Sequence, residues 1–208
     1  MSSHLCISTY KSPRHDVLKL EVCICISTYK SPRHDVLKLE LCFVGRDCSM
    51  VPAVLGTTYG CQARRLDLSF NKINSLCGLE RFPYLEELIL DNNCLGDDAL
   101  WPFMPYLTSL SINKNYFSNT AQLLCQLQKA CPKLRYLSML NNSACPDIFN
   151  AATETSNYDQ FEETYQQYRL LVLQHLPKLR FLNGQPASKK KPRSAKDGSS
   201  PFTEPTSK

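Results

Sequence analysis

Eleven cysteines and four histidines are the residues of this chain best suited to act as nucleophiles, bases or metal ligands, and their spacing assembles none of those functions. Cys6, Cys23, Cys25, Cys42, Cys48, Cys61, Cys77, Cys94, Cys125, Cys131 and Cys145 never form a C-x-x-C pair, so zinc-ligand spacing is missing. His4, His15 and His34 lie in the N-terminal segment, and His175 sits in a helical stretch where surface or packing roles are expected rather than base catalysis. The carboxylates Asp97 and Asp98, or Glu162 and Glu163, are sequence neighbours that read as solvated charges. Neither a Walker A loop, a G-x-G-x-x-G turn nor a G-x-S-x-G elbow occurs. The residues therefore predict no enzyme, no metal and no cofactor. One dense basic cluster, Lys189, Lys190, Lys191 and Arg193 with Lys196, could serve nuclear import or contact acidic lipid or nucleic acid, or could simply solubilise a tail. Phosphorylation of Ser188, Ser194, Ser199 or Ser200 would oppose its charge.

Any binding residues must be positioned by a domain, and a chain of 208 residues with 43% apolar content can build one with tails. A net charge of +5 is mild, so nucleic acid is not the expected partner. No basic stretch leads into an apolar run, and no stretch approaches about 18 apolar residues, so neither a signal peptide nor a transmembrane segment is expected. On that reading the cysteines stay reduced and act as small buried hydrophobes.

Residues 6–21 and 25–40 are identical over 16 positions at an offset of 19. Structural repeats diverge while keeping their apolar positions, so perfect copying marks a tandem duplication or a gene-model error. Each copy contains V-L-K-L, able to pair as a short strand, but only the second runs directly into the leucine-rich region.

A second periodicity is more informative. Leu66-Asp-Leu-Ser-Phe-Asn71-Lys-Ile73 has the form L-x-L-x-x-N-x-I. It recurs from Leu88 to Leu95, from Leu110 to Phe117 and from Leu137 to Asn142, placing Asn71, Asn93, Asn115 and Asn142 at spacings of 22, 22 and 27 residues. A period of roughly 20–29 residues with this pattern is that of leucine-rich repeats. Leu66 and Leu68, two apart in a strand, both face a core while Asp67 faces out. The asparagine amides are expected to bond turn backbone in a ladder through the stack, and Ile73, Leu76 and Leu79 to fill the back of the coil. The predicted fold class is α/β, a solenoid with short parallel strands on a concave face, a helical or irregular convex side and a C-terminal cap helix.

Leu39, Leu41, Phe43 and Val51-Pro52 look like a degenerate first coil. Tyr165 to His175 has helical spacing, with Leu171, Val172 and Leu176 on one face and Pro177 as terminator. The boundaries expected are a poorly ordered duplicated segment at 1–40, the repeat domain with caps at 41–184, and a disordered basic tail at 185–208. Residues 153–163 read as an acidic loop or frayed helix. The outward strand positions are Arg65, Asp67, Ser69 and Phe70; then Glu87, Ile89, Asp91 and Asn92; then Ser109, Ser111, Asn113 and Lys114; then Tyr136, Ser138, Leu140 and Asn141. Of these, Arg65, Asp67, Phe70, Glu87, Ile89, Asp91, Lys114, Tyr136 and Leu140 make a candidate partner-binding surface, in which exposed aromatics sit beside a charged rim.

The repeats, together with Phe43-Val-Gly-Arg-Asp-Cys48, Tyr136-Leu-Ser-Met-Leu-Asn-Asn-Ser-Ala-Cys-Pro146, Tyr168-Arg169 and Leu176-Pro-Lys-Leu-Arg-Phe-Leu182, resemble the intracellular leucine-rich proteins with a C-terminal cap. That class includes the U2 snRNP A′ protein and the acidic nuclear phosphoprotein 32 family, and within it the likeness is greater to the melanocyte-differentiation-associated leucine-rich proteins. Asn183 stands where the cap usually carries Asp. The resemblance implies a cytoplasmic adaptor of pigment-cell differentiation and melanosome-building vesicle traffic, engaging a Rab-type small GTPase or endosomal sorting machinery rather than a small-molecule substrate. The alternative it leaves open is a nuclear ribonucleoprotein component similar to the U2 A′ protein.

Overall fold

The computed structural model describes residues 5–7, 23–31, 34–146 and 158–187. Among them, one nine-stranded sheet has its strands in strict chain order. Each L-x-L motif supplies one short strand: β4 (Ala63–Asp67), β5 (Glu87–Ile89), β6 (Ser109–Ser111) and β7 (Tyr136–Ser138). Strands this short cannot stand alone, so each depends on its neighbours in the stack. They pair in parallel, with Leu66, Leu88, Leu110 and Leu137 in register, and β8 (Phe181–Leu182) continues the series through Leu182. These leucines and the second inward row, Leu68, Leu90, Ile112 and Met139, are all buried. Ile73, Leu76 and Leu79 close the back of the first full coil as expected.

The long interval between Asn115 and Asn142 has a local cause. It contains α2 (Thr120–Ala130), capped by the Asn119 side chain accepting from the Gln122 N–H at 3.0 Å, where the two coils between β4 and β6 make only turns and a short 3-10 segment at Leu79–Arg81. Leu123, Leu124 and Leu127 turn inward, and α2 packs against α3 (Tyr158–His175). Tyr165, Tyr168, Val172 and Leu176 form the buried side of that cap, with Leu171 half-buried beside them. Helix α3 ends at His175, two residues before Pro177.

Antiparallel hairpins flank the parallel strands at both ends. At the N-terminal end, β2 (Cys23–Ser31) pairs with β3 (His34–Cys42), β1 (Leu5–Ile7) adds to β2, and β3 pairs in parallel with β4. The expected boundary at residue 40 thus falls inside a strand. The reason is packing: Leu39, Leu41 and Phe43 are buried against the first coil, so the strand that carries them begins upstream, within the second copy of the duplicated segment. Val51 is buried too, and helix α1 (Ala53–Tyr59) follows Pro52. At the other end Gln185 and Pro186, expected in a disordered tail, form β9 against β8. Asn183 (φ 53) and Gly184 (φ 77) make the tight reversal that this pairing needs. Residues 188–208, with the basic cluster, and residues 147–157 lie outside the described residues.

The cysteines depart in part from the buried role expected of them. Cys131 and Cys145 are buried, but Cys61, Cys77, Cys94 and Cys125 are exposed, because they occupy convex turns and the outer face of α2 rather than inward strand positions. Burial pushes the Cys131 thiol up to about 12.

Candidate partner-binding face

The ladder that holds the strands in register is built from four buried asparagines. Asn93 donates through Nδ2 to the Leu68 and Leu90 carbonyls at 3.0 and 3.1 Å, and its Oδ1 accepts the Ile73 N–H at 3.0 Å. Asn115 repeats this with Leu90, Ile112 and the Leu95 N–H, and Asn142 with Ile112, Met139 and the Phe117 N–H. Asn71 closes the N-terminal end, donating to Phe43 and Leu68 and accepting the Arg46 and Cys48 N–H groups. The residue before each is in the left-handed region: Phe70 (φ 57), Asn92 (φ 54), Lys114 (φ 52) and Asn141 (φ 56). Asparagine tolerates that conformation; a phenylalanine there is strained. At the last coil, Asn183 Oδ1 accepts the Met139 N–H at 3.0 Å while its Nδ2 points at Cys145 Sγ, 3.4 Å away. The departure from Asp therefore suits this chain, since a carboxylate has no donor for that sulfur.

On the concave side the outward residues align in columns. Arg65, Glu87, Ser109, Tyr136 and Phe181 are in register, as are Asp67, Ile89, Ser111 and Ser138. The structure thus brings the residues singled out by the repeat phase onto one face, but many of their polar atoms are already engaged. Arg65 hydrogen-bonds Glu87 in an ion pair, which keeps the guanidinium firmly charged although partial burial works against it. Asp67 accepts both the N–H and the hydroxyl of Ser69, which draws Ser69 into the surface. Ser69 is buried and not, as expected, an exposed contact. Asp91 accepts the Asn113 N–H at 2.8 Å and the Ser111 hydroxyl at 2.7 Å, and Asn113 in turn accepts the Leu140 N–H and the Ser138 hydroxyl, each at 2.7 Å. This is a second, concave ladder. The side chains left facing solvent are Phe70, 62% exposed, Lys114 and Tyr136, with Ile89 and Leu140 half-buried.

Two groups lie outside the residues that the repeat phase singles out. Phe181 stacks on Tyr136 with ring centroids 5.3 Å apart and planes 11° from parallel. At the N-terminal ends of the strands, Arg64 lies over Tyr84, Tyr84 packs against Tyr106, and Lys133 Nζ sits 4.4 Å from the Tyr106 ring centroid. A signal for this edge exists in the sequence: Pro83-Tyr-Leu85, Pro105-Tyr-Leu107, Pro132-Lys-Leu134 and Pro177-Lys-Leu179 recur just before the strands β5 to β8.

Short parallel strands stacked one per coil, tied by an asparagine ladder and closed by end hairpins, define a leucine-rich-repeat solenoid. The chain is similar to the human leucine-rich melanocyte differentiation-associated protein, at 47% identity over 117 residues. That stretch is 56% of this chain and 56% of the relative, so the match spans little more than half of the relative's length. Among solved structures, a chain in the Drosophila melanogaster SNF/U2A′ complex is similar with a TM-score of 0.56 and 25% identity, covering 79% of this chain and 82% of that one. No family model matches the chain. Among the described residues no helix is long and apolar enough to cross a membrane, and no group of three or more His, Cys, Asp or Glu side chains could hold a metal ion.

Proposed function

We propose that this chain is a non-enzymatic protein-binding adaptor of melanocyte differentiation, acting in the cytoplasm in the vesicle traffic that builds melanosomes. The single observation that carries the reading is its 47% identity to a relative whose name records melanocyte differentiation. A fold whose concave face presents Phe70, Ile89, Lys114, Tyr136 and Leu140 to solvent supports a protein partner, and that partner is a Rab-type small GTPase or a component of endosomal sorting machinery. Arg65, Glu87, Asp67 and Asp91 shape and rigidify the same face through their internal bonds. Neither a small-molecule substrate nor a cofactor enters this reading. The basic cluster Lys189, Lys190, Lys191 and Arg193 would adjust where the protein resides.

The likeness to a chain of the SNF/U2A′ complex favours a second reading, a nuclear ribonucleoprotein component held by the same concave face. Affinity capture with the full chain from pigment-cell lysate, beside a Phe70→Ala/Tyr136→Ala variant, separates them. Small GTPases or sorting proteins that disappear with the variant support the adaptor. Spliceosomal proteins in their place would replace it with the nuclear reading, and partners retained by the variant would move the site off the concave face.

A further inference from the structure

The charges along the strand edge are not balanced evenly. In the first two full coils the two strand arginines each meet a carboxylate of the next coil: Arg64 Nε lies 3.8 Å from Glu86, and Arg65 pairs with Glu87. In the last two, the near-identical segments Pro132-Lys-Leu-Arg-Tyr-Leu137 and Pro177-Lys-Leu-Arg-Phe-Leu182 place Lys133 beside Lys178 and Arg135 beside Arg180. The register is direct, since the Arg180 N–H donates to the Arg135 carbonyl at 2.7 Å and Lys178 Nζ reaches the Pro132 carbonyl at 3.1 Å. All four side chains are exposed, and none has a carboxylate partner among the described residues. Beside Lys178 opens a cleft of about 190 Å³ lined by Leu134, Leu176, Pro177 and His175, between the ends of α2 and α3.

We propose that these last two coils dock an acidic segment of a partner protein, its carboxylates on Arg135, Arg180, Lys133 and Lys178 and one apolar side chain in the cleft. The surface rests on the protein-binding role proposed above and names the chemistry of the partner. Unneutralised cations on successive coils, whose strands lie about 4.8 Å apart, match closely spaced carboxylates, and guanidinium groups engage them through paired N–H donors. Single-stranded nucleic acid fits less well. Its bases need open aromatic faces, whereas Lys133 sits over the Tyr106 ring, and Tyr136 and Phe181 each spend one ring face on the other.

The test is fluorescence anisotropy with the purified full chain and a short labelled peptide of glutamate and aspartate around one leucine. Binding is expected to weaken about tenfold in Arg135→Glu/Arg180→Glu and with rising salt, and to persist in Lys190→Glu/Lys191→Glu. Replacing the peptide's leucine with serine is expected to weaken it further. An Arg135→Gln/Arg180→Gln variant whose melting curve matches the parent keeps any loss attributable to the surface. Equal binding by parent and arginine variants, dependence on the tail lysines alone, indifference to the leucine, or tighter binding of labelled oligouridylate would each overturn the proposal. Because no cellular partner enters this assay, its failure leaves the adaptor reading standing. Failed capture from lysate with intact peptide binding would count against the adaptor alone.

Discussion

Replacing Asn93 with alanine removes three buried hydrogen bonds and a longer, part-buried one to the Asp91 carbonyl, which the Phe70 N–H also serves, and they are not equivalent. The Leu68 carbonyl also accepts from Asn71, and the Leu90 carbonyl also accepts from Asn115, so each keeps a partner. The Ile73 N–H, buried and served by Asn93 Oδ1, has no second acceptor among the described residues. An orphaned buried donor costs about 2 kcal/mol, and the two weakened carbonyls about 0.5 kcal/mol each, so Asn93→Ala should destabilise by about 3 kcal/mol. At this size that is a fall of roughly 6–12 °C in Tm. Asn71→Ala should cost less, about 2 kcal/mol: it leaves the buried Phe43 carbonyl without a donor among the described residues, a milder orphan than an N–H, while the Arg46 and Cys48 N–H groups it frees lie at the edge of the stack, within reach of water. Urea titration followed by circular dichroism measures both, provided the slope is unchanged. If Asn93→Ala costs no more than Asn71→Ala, the argument that the interior donor carries the energy is wrong.

Three further outcomes are expected. Phe70→Asn relieves left-handed strain while losing a little packing, so stability should shift by no more than about 1 kcal/mol while captured partners are lost; a large loss of stability would show that the ring belongs to the core. Partial burial tends to raise the Asp97 carboxyl, but hydrogen bonds from Ser118 and Asn119 prevail and hold it below its ordinary 3.8. Its contribution is therefore complete above that pH and lost as acid carries the pH through the lower folded value, so thermal melts of Asp97→Asn should lack that part of the acid sensitivity; identical pH profiles would refute it. Gly60 has an ordinary φ of −54, yet a Cβ there would stand 2.0 Å from the Arg81 carbonyl oxygen, so Gly60→Ala should cost about 3 kcal/mol in chemical denaturation, and an unchanged midpoint would refute the close approach.

The inward rows and the asparagine ladder were legible in the sequence because burial imposes residue type: Leu66 and Leu68 must be apolar, and a turn with orphaned backbone groups must carry an amide. The concave ladder was not. Asp91, Ser111 and Asn113 are residues that serve equally well in water, and only their alignment across coils shows that they bond each other. Phe181 gave no signal because its strand is two residues long and its asparagine, Asn183, follows Leu182 directly instead of closing the L-x-L-x-x-N spacing that marks the others. The column from Tyr84 to Lys133 lies before each motif, outside the leucine pattern, although the recurring prolines marked it.

The asparagines also count coils. Each bonds its own turn and the one before it, so a coil can be added only with an amide that hands the bonding on. The duplicated segment at the N-terminus holds no asparagine and repeats at 19 residues rather than 22. Copying it therefore widens the sheet by antiparallel strands, as β1 and β2 do, without lengthening the solenoid. The number of turns available to a partner is set from Asn71 onward, whatever the chain carries before it.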